Sequence, residues 1–303
     1  MLLKIGDKGP EVAEIQKLLS VIGYDLIIDG DFGPKTKRSV KAFQKKAGIL
    51  NDGIVTQSTY DALKIYASSK RDINNPQIAR DDHDYGSLDI NRNHRLAPAQ
   101  YIKRVTEKKQ IYLHFTAGGP NAKNVINYWD SNQTRVATAF VVDGGGSIFE
   151  CFNPDYWSYH LGVKGTRGRL DKASVGIEIC SYGPLKLKNG EYYAWPGNYS
   201  KKKIPASEVY TLPRGFRGFQ YFHAFNDGQI ATTEKLCEYL IEKYKIPVQY
   251  EFDYTWFDYN EEVVRNTTPG IWSHTTVRKD KFDLYPDHRV LEMLNRLANK
   301  YGR

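Results

Sequence analysis

The stretch "QIYLHFTAG", residues 110–118, alternates along its length with a period of two. Ile111, Leu113 and Phe115 fall on one face and Tyr112, His114 and Thr116 on the other, which predicts a strand running into a flexible Ala-Gly turn. His114 therefore stands at a strand end, opposite the apolar face, where a histidine serves either as a structural hydrogen-bonder or as a metal ligand. A second stretch repeats the form. "ASVGIEICSYG", residues 173–183, sets Val175, Ile177 and Ile179 against Gly176, Glu178 and Cys180. Glu178 reads either as a surface strand carboxylate or as a functional one. The flanking "VGI" and "IC" imply a mostly buried strand, in which an unpaired carboxylate is costly.

Helices and turns surround these strands. "NAKNVINYWDS" (121–131) presents Val125, Ile126 and Trp129 on one helical face, and "ATAFVVDGGGSIFECF" (137–152) reads as a hairpin about a glycine turn. "TTEKLCEYLIEKYKIP" (232–247) is a helix burying Leu236, Cys237, Leu240, Ile241 and Tyr244, and a closing helix carries Val290, Leu291, Leu294 and Leu297. Strands and helices mixed in this way predict an α/β fold, a mixed central sheet flanked by helices, over residues 96–303. The segments 183–220 and 249–270 are rich in Tyr, Trp and Lys and read either as cleft walls or as elaborations.

The first 66 residues read differently. "GDKGP" opens a helix with Val12, Ile15, Leu18, Leu19 and Ile22 on one face. "DGDFGP" is a turn that places Pro34 in the first turn of a second helix carrying Val40, Phe43 and Ala47. "NDGIVTQSTYDAL" adds an Asp-Gly turn and a third helix capped by Thr56 or Ser58. "GPEVAEIQKLL" and "GPKTKRSVKAFQKKAGI" echo each other, "IQK" against "FQK". The expectation is a small all-α three-helix domain over 1–66. Residues 67–95 are polar, mixed in charge and without period, so they read as a linker with His83 and His94 at a solvated surface.

Composition bounds the rest. Hydrophobic content of 41% and charged content of 26% are those of a soluble globular protein. No run of about 18 apolar residues exists to span a membrane. The leading "MLLKIGDKGPEVAEIQ" lacks the features of a signal peptide, so accumulation in the cytoplasm of the producing cell is expected. Cys151, Cys180 and Cys237 lie far apart, which argues against a disulfide framework or a cysteine zinc knuckle. A net charge of +8 favours a polyanionic partner, nucleic acid or an anionic cell wall; no dense basic block or nucleic-acid motif accompanies it, and charge alone does not choose between the two. A monomer is expected.

Near the C-terminus, "IWSHTTVRKDKFDLYP" (271–286) brings His274, Lys281 and Asp283 together. With His114 they form a His, His, carboxylate set with one position open, the pattern of catalytic zinc. No HExxH helix is present, so such a site must be assembled from distant segments.

Two resemblances follow from these motifs. "EIQKLL", "DGDFGPKTKRSVKAFQKKAGI" and "DGIVTQSTYDAL" resemble the small three-helix peptidoglycan-binding domain of wall-lytic enzymes. "IYLHFTAGG", "WSYHLG", "SVGIEIC" and "SHTTVRKDKFDLYP", in that order over roughly residues 100–303, resemble the zinc N-acetylmuramoyl-L-alanine amidases, which include phage endolysins and peptidoglycan-recognition proteins. The resemblance implies zinc held by His114, His274 and Asp283, with Glu178 as general base and Lys281 as catalytic lysine. It implies that His160 and Trp157 of "WSYHLG" line the substrate cleft. It implies bacterial peptidoglycan as substrate and an endolysin held in the host cytoplasm until release. Two departures stand out: Thr138 occupies the place where several relatives have a tyrosine, and "TTVRKD" replaces a loop containing proline and glycine. A recognition protein that binds without cutting, and a zinc peptidase acting on the stem peptide or cross-bridge, are the alternatives.

Overall fold

Pro10 and Pro34 each follow a glycine and open a helix at the position where a missing N–H costs nothing. The computed structural model in which they are seen describes residues 2–22, 24, 26–71, 84–132, 134–194 and 202–302. The chain divides into one unit of Met1–His83 with Ala97–Ala99 and a second of Asp84–Leu96 with Gln100–Arg303. In the first, β1 (Leu2–Leu3) precedes α1 (Pro10–Val21) and α2 (Pro34–Ala47), and β2 (Val55–Thr56) leads into α3 (Gln57–Arg71). The two short strands pair antiparallel. Val12, Ile15, Leu19, Phe32, Val40, Phe43, Val55 and Leu63 form the fully buried core. Thr56 is the cap that α3 uses, its hydroxyl accepting from the Thr59 amide.

The echo between "IQK" and "FQK" has a physical basis. Gln16 is buried, and its amide nitrogen donates to Asp29 Oδ1 at 2.7 Å and to the Asp31 carbonyl at 2.9 Å, while its oxygen accepts from the Gly30 amide at 2.8 Å. Gln44 repeats the set on the second turn, donating to Asp52 Oδ1 at 3.0 Å and the Ile54 carbonyl at 2.9 Å and accepting from Gly53 at 2.8 Å. Each glutamine plugs the Asp-Gly turn that follows its helix. Gly30 and Gly53 are both left-handed (φ +73° and +78°), which is why each turn carries a glycine.

The second unit begins earlier than the sequence suggests. Residues 84–95 were expected as linker, but β3 (Ile90–Asn91) adds in parallel to the edge of a sheet, and Tyr85 is buried in its core. The cause is Glu150, fully buried, which accepts from the Tyr85 hydroxyl at 2.7 Å, from Arg92 Nε at 3.3 Å and from Arg95. Residues 72–83 of the expected linker, with His83, lie outside the described residues. His94 sits near the surface, its Nε2 at 3.0 Å from Asn127 Oδ1.

The sheet continues through β4 (Gln110–Phe115), α4 (Ala122–Ser131), β5 (Phe140–Val142), β6 (Ile148–Glu150), α5 (Arg169–Lys172) and β7 (Ser174–Ile179). The 183–220 segment then builds a sheet of its own: β8 (Pro184–Lys188), β9 (Glu191–Ala194), β10 (Lys203–Ile204), β11 (Val209–Phe216) and β12 (Phe219–His223), all antiparallel in the order β10-β9-β8-β12-β11. After it come α6 (Asp227–Tyr244), α7 (Glu261–Asn266), β13 (Gly270–Ser273), α8 (His274–Val277) and α9 (His288–Tyr301). The main sheet has the order β13-β4-β7-β5-β6-β3, with only the β5–β6 hairpin antiparallel. β4 is buried along its whole length, as a parallel strand covered on both faces must be. Side-chain caps start the helices: Asn121 for α4, Asn226 in a capping box with Gln229 for α6, and Asp287 for α9. Leu236, Cys237, Leu240 and Ile241 of α6 and Val290, Leu291, Leu294 and Leu297 of α9 are buried as their periodicity requires. The three cysteines are free and buried. No helix among the described residues is long and apolar enough to cross a membrane.

Candidate active site

β13, β4 and β7 lie side by side and parallel, so their C-terminal ends open at one edge of the sheet. That edge is where open α/β sheets collect ligands. His114 comes from the end of β4, in register with Glu178 of β7. Ser273 ends β13 and caps α8 through a box with Thr276, which turns the chain sharply and makes His274 the first residue of the helix. The loop after α8 returns Asp283 to the same point.

The three donor atoms converge. His114 Nδ1 lies 3.1 Å from His274 Nδ1 and 3.1 Å from Asp283 Oδ2, and His274 Nδ1 lies 2.9 Å from the same oxygen. All three residues are buried. The surrounding hydrogen bonds assign the protons. His274 Nε2 faces the Leu161 carbonyl at 2.8 Å, a pure acceptor, so it carries the hydrogen and leaves Nδ1 a lone pair. Ser174 Oγ donates to the Leu170 carbonyl at 2.8 Å and accepts from His160 Nε2 at 2.9 Å. His160 Nδ1 is then the acceptor for His114 Nε2 at 3.0 Å, and His114 Nδ1 is also left bare. Two imidazole lone pairs and a carboxylate oxygen thus point at each other.

Only a cation or proton relieves that arrangement, and the donor set suits zinc. Ligands about 2.0–2.1 Å from a tetrahedral zinc stand about 3.3 Å apart, a few tenths wider than here. Burial, eased by Asp283, lowers the His114 pKa to about 4 and keeps the ring neutral. Burial alone would raise the Asp283 pKa, but positive charge and hydrogen bonds from His274 and His114, present when a proton sits between these groups, outweigh it and hold the carboxyl below its ordinary range. The residues present fit a zinc site.

Glu178 Oε2 is enclosed and has no hydrogen-bond partner among the described residues. Burial first, and the neighbouring Asp283 second, push its pKa well above the ordinary value, while Lys281 pulls the other way. Lys281 is half-buried, and its charge also acts on His114. Thr138 spends its hydroxyl on the Phe140 carbonyl at 2.9 Å and offers no acid or base. Among the described residues, Glu178 Oε2 is the one buried carboxylate oxygen without a hydrogen-bond partner.

His160, expected to line the substrate cleft, is half-buried, with one ring nitrogen facing His114 and the other Ser174, so it orients a metal-facing histidine. Trp157 was expected beside it, but its ring is 7% exposed, edge-on to Tyr159 and under the Lys172 amine at 5.1 Å. It packs inside the domain because the side chains of "WSYHLG" do not share one face. His223 contacts Ser181 Oγ at 3.2 Å and His288 contacts the Tyr210 hydroxyl at 2.8 Å, the structural roles expected of both.

Three contributors were missed. Buried Asp171 accepts from the amides of His160 and Leu161 at 2.9 and 3.0 Å, fixing the segment that orients both histidines. Gly176 leaves room for the His160 ring, since a Cβ there would meet Nδ1 at 2.9 Å and Thr138 Cγ2 at 2.7 Å. An isolated glycine inside a strand is a signal of such a close approach. Arg217 is the third and is taken up below.

Two family descriptions match the chain, a peptidoglycan binding domain over residues 8–63 and N-acetylmuramoyl-L-alanine amidase over residues 105–284. The chain is similar to the N-acetylmuramoyl-L-alanine amidase CwlL of Bacillus licheniformis, 40% identical over 73 residues that make 23% of this chain and 20% of that one. It is similar to the zinc D-Ala-D-Ala carboxypeptidase of Streptomyces albus G, 41% identical over 69 residues, 21% of this chain and 26% of that one. The chain therefore spans about a fifth to a quarter of the length of these curated relatives. Among solved structures, a mutant endolysin from Bacillus subtilis aligns with 18% identity over 52% of this chain and 79% of that one, with a TM-score of 0.33. The amidase match covers more than half of the 303 residues, and the chain belongs to the N-acetylmuramoyl-L-alanine amidase family.

Proposed function

We propose that the chain hydrolyses the amide between the lactyl group of N-acetylmuramic acid and L-alanine of the stem peptide in bacterial peptidoglycan, with zinc held by His114, His274 and Asp283. The observation that carries the reading is the convergence of three bare donor atoms beside an unpaired glutamate and a lysine. Zinc, when bound, supplies a Lewis acid for the scissile carbonyl and lowers the pKa of water. Glu178 takes a proton from the attacking water and hands it to the alanine nitrogen as the C–N bond breaks. Its raised pKa suits both halves of that task. Lys281 offers a fixed positive charge to the oxygen on which negative charge develops. His160, Ser174 and Asp171 hold the two imidazoles in their metal-facing tautomers. Residues 8–63 would hold the enzyme on the wall. Three free, buried cysteines support synthesis in a reducing compartment, as for an endolysin made in the host cytoplasm and released to the wall.

The test is metal content together with the termini released from purified peptidoglycan, for wild type and Asp283→Ala. One equivalent of zinc, a new lactyl carboxylate and a new L-alanine amine are expected in wild type, with both metal and lysis lost in the variant. Stoichiometric zinc and full activity in Asp283→Ala would remove that residue from the metal set. A different new terminus would make the chain a peptidase, and binding without cleavage would make it a recognition protein.

A further inference from the structure

We infer that Arg217, at the hairpin tip of the second sheet, is a positioning residue that braces the chain between His274 and Asp283. The inference rests on the site reading proposed above and gives the 183–220 segment a task within it.

The turn itself is unusual. Arg217 and Gly218 join β11 to β12 with φ of +48° and +88°, between the paired Phe216 and Phe219. Two-residue turns with both φ positive favour Asn, Asp or Gly at the first position, and a long side chain held there calls for a reason. The reason is what the guanidinium touches. Nη1 donates to the carbonyls of Arg278 at 2.8 Å, Lys279 at 2.9 Å and Lys281, and Nη2 to those of Phe257 at 3.3 Å and Thr275 at 3.1 Å. Four of the five acceptors lie between His274 and Asp283.

That stretch needs outside support. α8 is one turn long: the His274 carbonyl accepts from the Arg278 amide and the Thr276 carbonyl from the Asn260 amide, while the Thr275 carbonyl is met by Arg217. The stretch "TTVRKD" (275–280), which runs from α8 into the loop, contains no glycine or proline to set its own conformation. Arg217 holds the Thr275, Arg278 and Lys279 carbonyls from one side, gripping the backbone of Lys281 itself. Arg278 holds the other side, donating from Nη1 to the Gly162 carbonyl at 3.1 Å and from Nε to Asp280 at 2.8 Å. Beyond Asp283 the second sheet takes hold again. The Tyr285 ring stacks on Phe222 of β12 at 4.4 Å and on Phe225 at 5.1 Å, and its hydroxyl donates to the His223 carbonyl at 3.2 Å. Lys281 and Asp283 are therefore clamped on both flanks, by the hairpin tip at Arg217 and by residues 222–225 just after it. A planar fork can serve several carbonyls at once, which the point charge of a lysine cannot.

The full chain would be compared with Arg217→Ala, Arg217→Lys and, as control, Arg214→Ala at an exposed site on β11. Deuterium uptake is read without metal, zinc affinity by chelator competition, and kcat and KM on soluble muropeptide. In Arg217→Ala, uptake should rise in peptides covering 274–283 and not elsewhere. Zinc affinity and kcat should each fall about tenfold to a hundredfold. KM should stay within about twofold, because the substrate contacts remain. Arg217→Lys should recover part of the loss and Arg214→Ala should match wild type. If the alanine variant does not fold, the lysine variant carries the comparison. Wild-type uptake, zinc affinity and kcat in a folded variant would overturn the brace. Should wild type bind zinc yet release no lactyl carboxylate, the amidase reading fails while uptake and zinc affinity still judge Arg217.

Discussion

Glu178 Oε2 has no hydrogen-bond partner among the described residues, and burial and Asp283 raise the carboxyl pKa well above its usual 4.5. The folded chain thus binds a proton here that the unfolded chain releases, so this group's contribution to stability falls as pH rises above about 4.5. Glu178→Gln stays neutral and should flatten that loss. In the metal-free chain its Tm at pH 8 should exceed that of wild type, with a smaller gain at pH 5. Zinc binding should persist while kcat drops about a hundredfold to ten-thousandfold, the usual reach of a general base. Thermal unfolding at the two pH values with chelator present, set beside product release, checks this. A Glu178→Gln chain less stable than wild type at pH 8 would mean that the carboxylate is a structural group after all. The alternation of "SVGIEIC" made this residue legible, as "IYLHF" did His114. The role of His160 was not legible, because whether an imidazole faces a cleft or another imidazole depends on a neighbouring strand lacking a Cβ at Gly176.

Residues 84–95 show the complementary failure. Their mixed charges read as solvated linker, yet Arg92 and Arg95 answer one glutamate on β6, 58 and 55 residues away, and a local reading has no access to that partner. Glu150 is fully buried while Arg92 and Arg95 keep 28% and 32% of their side chains exposed. Glu150→Gln should therefore cost less than breaking an enclosed pair, about 1–3 kcal/mol, because both arginines can be rehydrated. A lower urea midpoint with an unchanged slope is the expected reading, and no change in midpoint would detach β3 from the stability of the sheet. The second sheet was more accessible than the reading made of it. Asn189-Gly190 joins β8 to β9 with both φ positive (+52° and +77°), and Asn-Gly between alternating residues is a strong hairpin signal. What no local pattern announces is that the neighbouring hairpin reaches back to Thr275, Arg278, Lys279 and Lys281.

On the proposed reading, the two units divide the work that a polymer substrate demands. A solid wall presents its bonds at fixed positions, so an anchored enzyme meets them at a high effective concentration without any better active site. The first unit closes on its own core and its own paired glutamine plugs, and the site residues all belong to the second. Residues 84–303 expressed alone should therefore keep kcat on soluble muropeptide within about twofold of the full chain, since nothing in the zinc or carboxylate set is lost. On intact sacculi the same fragment should act about tenfold or more slowly and should no longer pellet with the wall. Added salt should weaken retention of the full chain, whose net charge is +8, because the attraction of a basic chain to an anionic surface is screened. Pelleting and release of lactyl carboxylate, measured in parallel for both chains, separate binding from chemistry. If the fragment lyses sacculi as fast as the full chain, the first unit has no part in holding the enzyme to its substrate, and its repeated Gln–Asp–Gly turns serve stability alone.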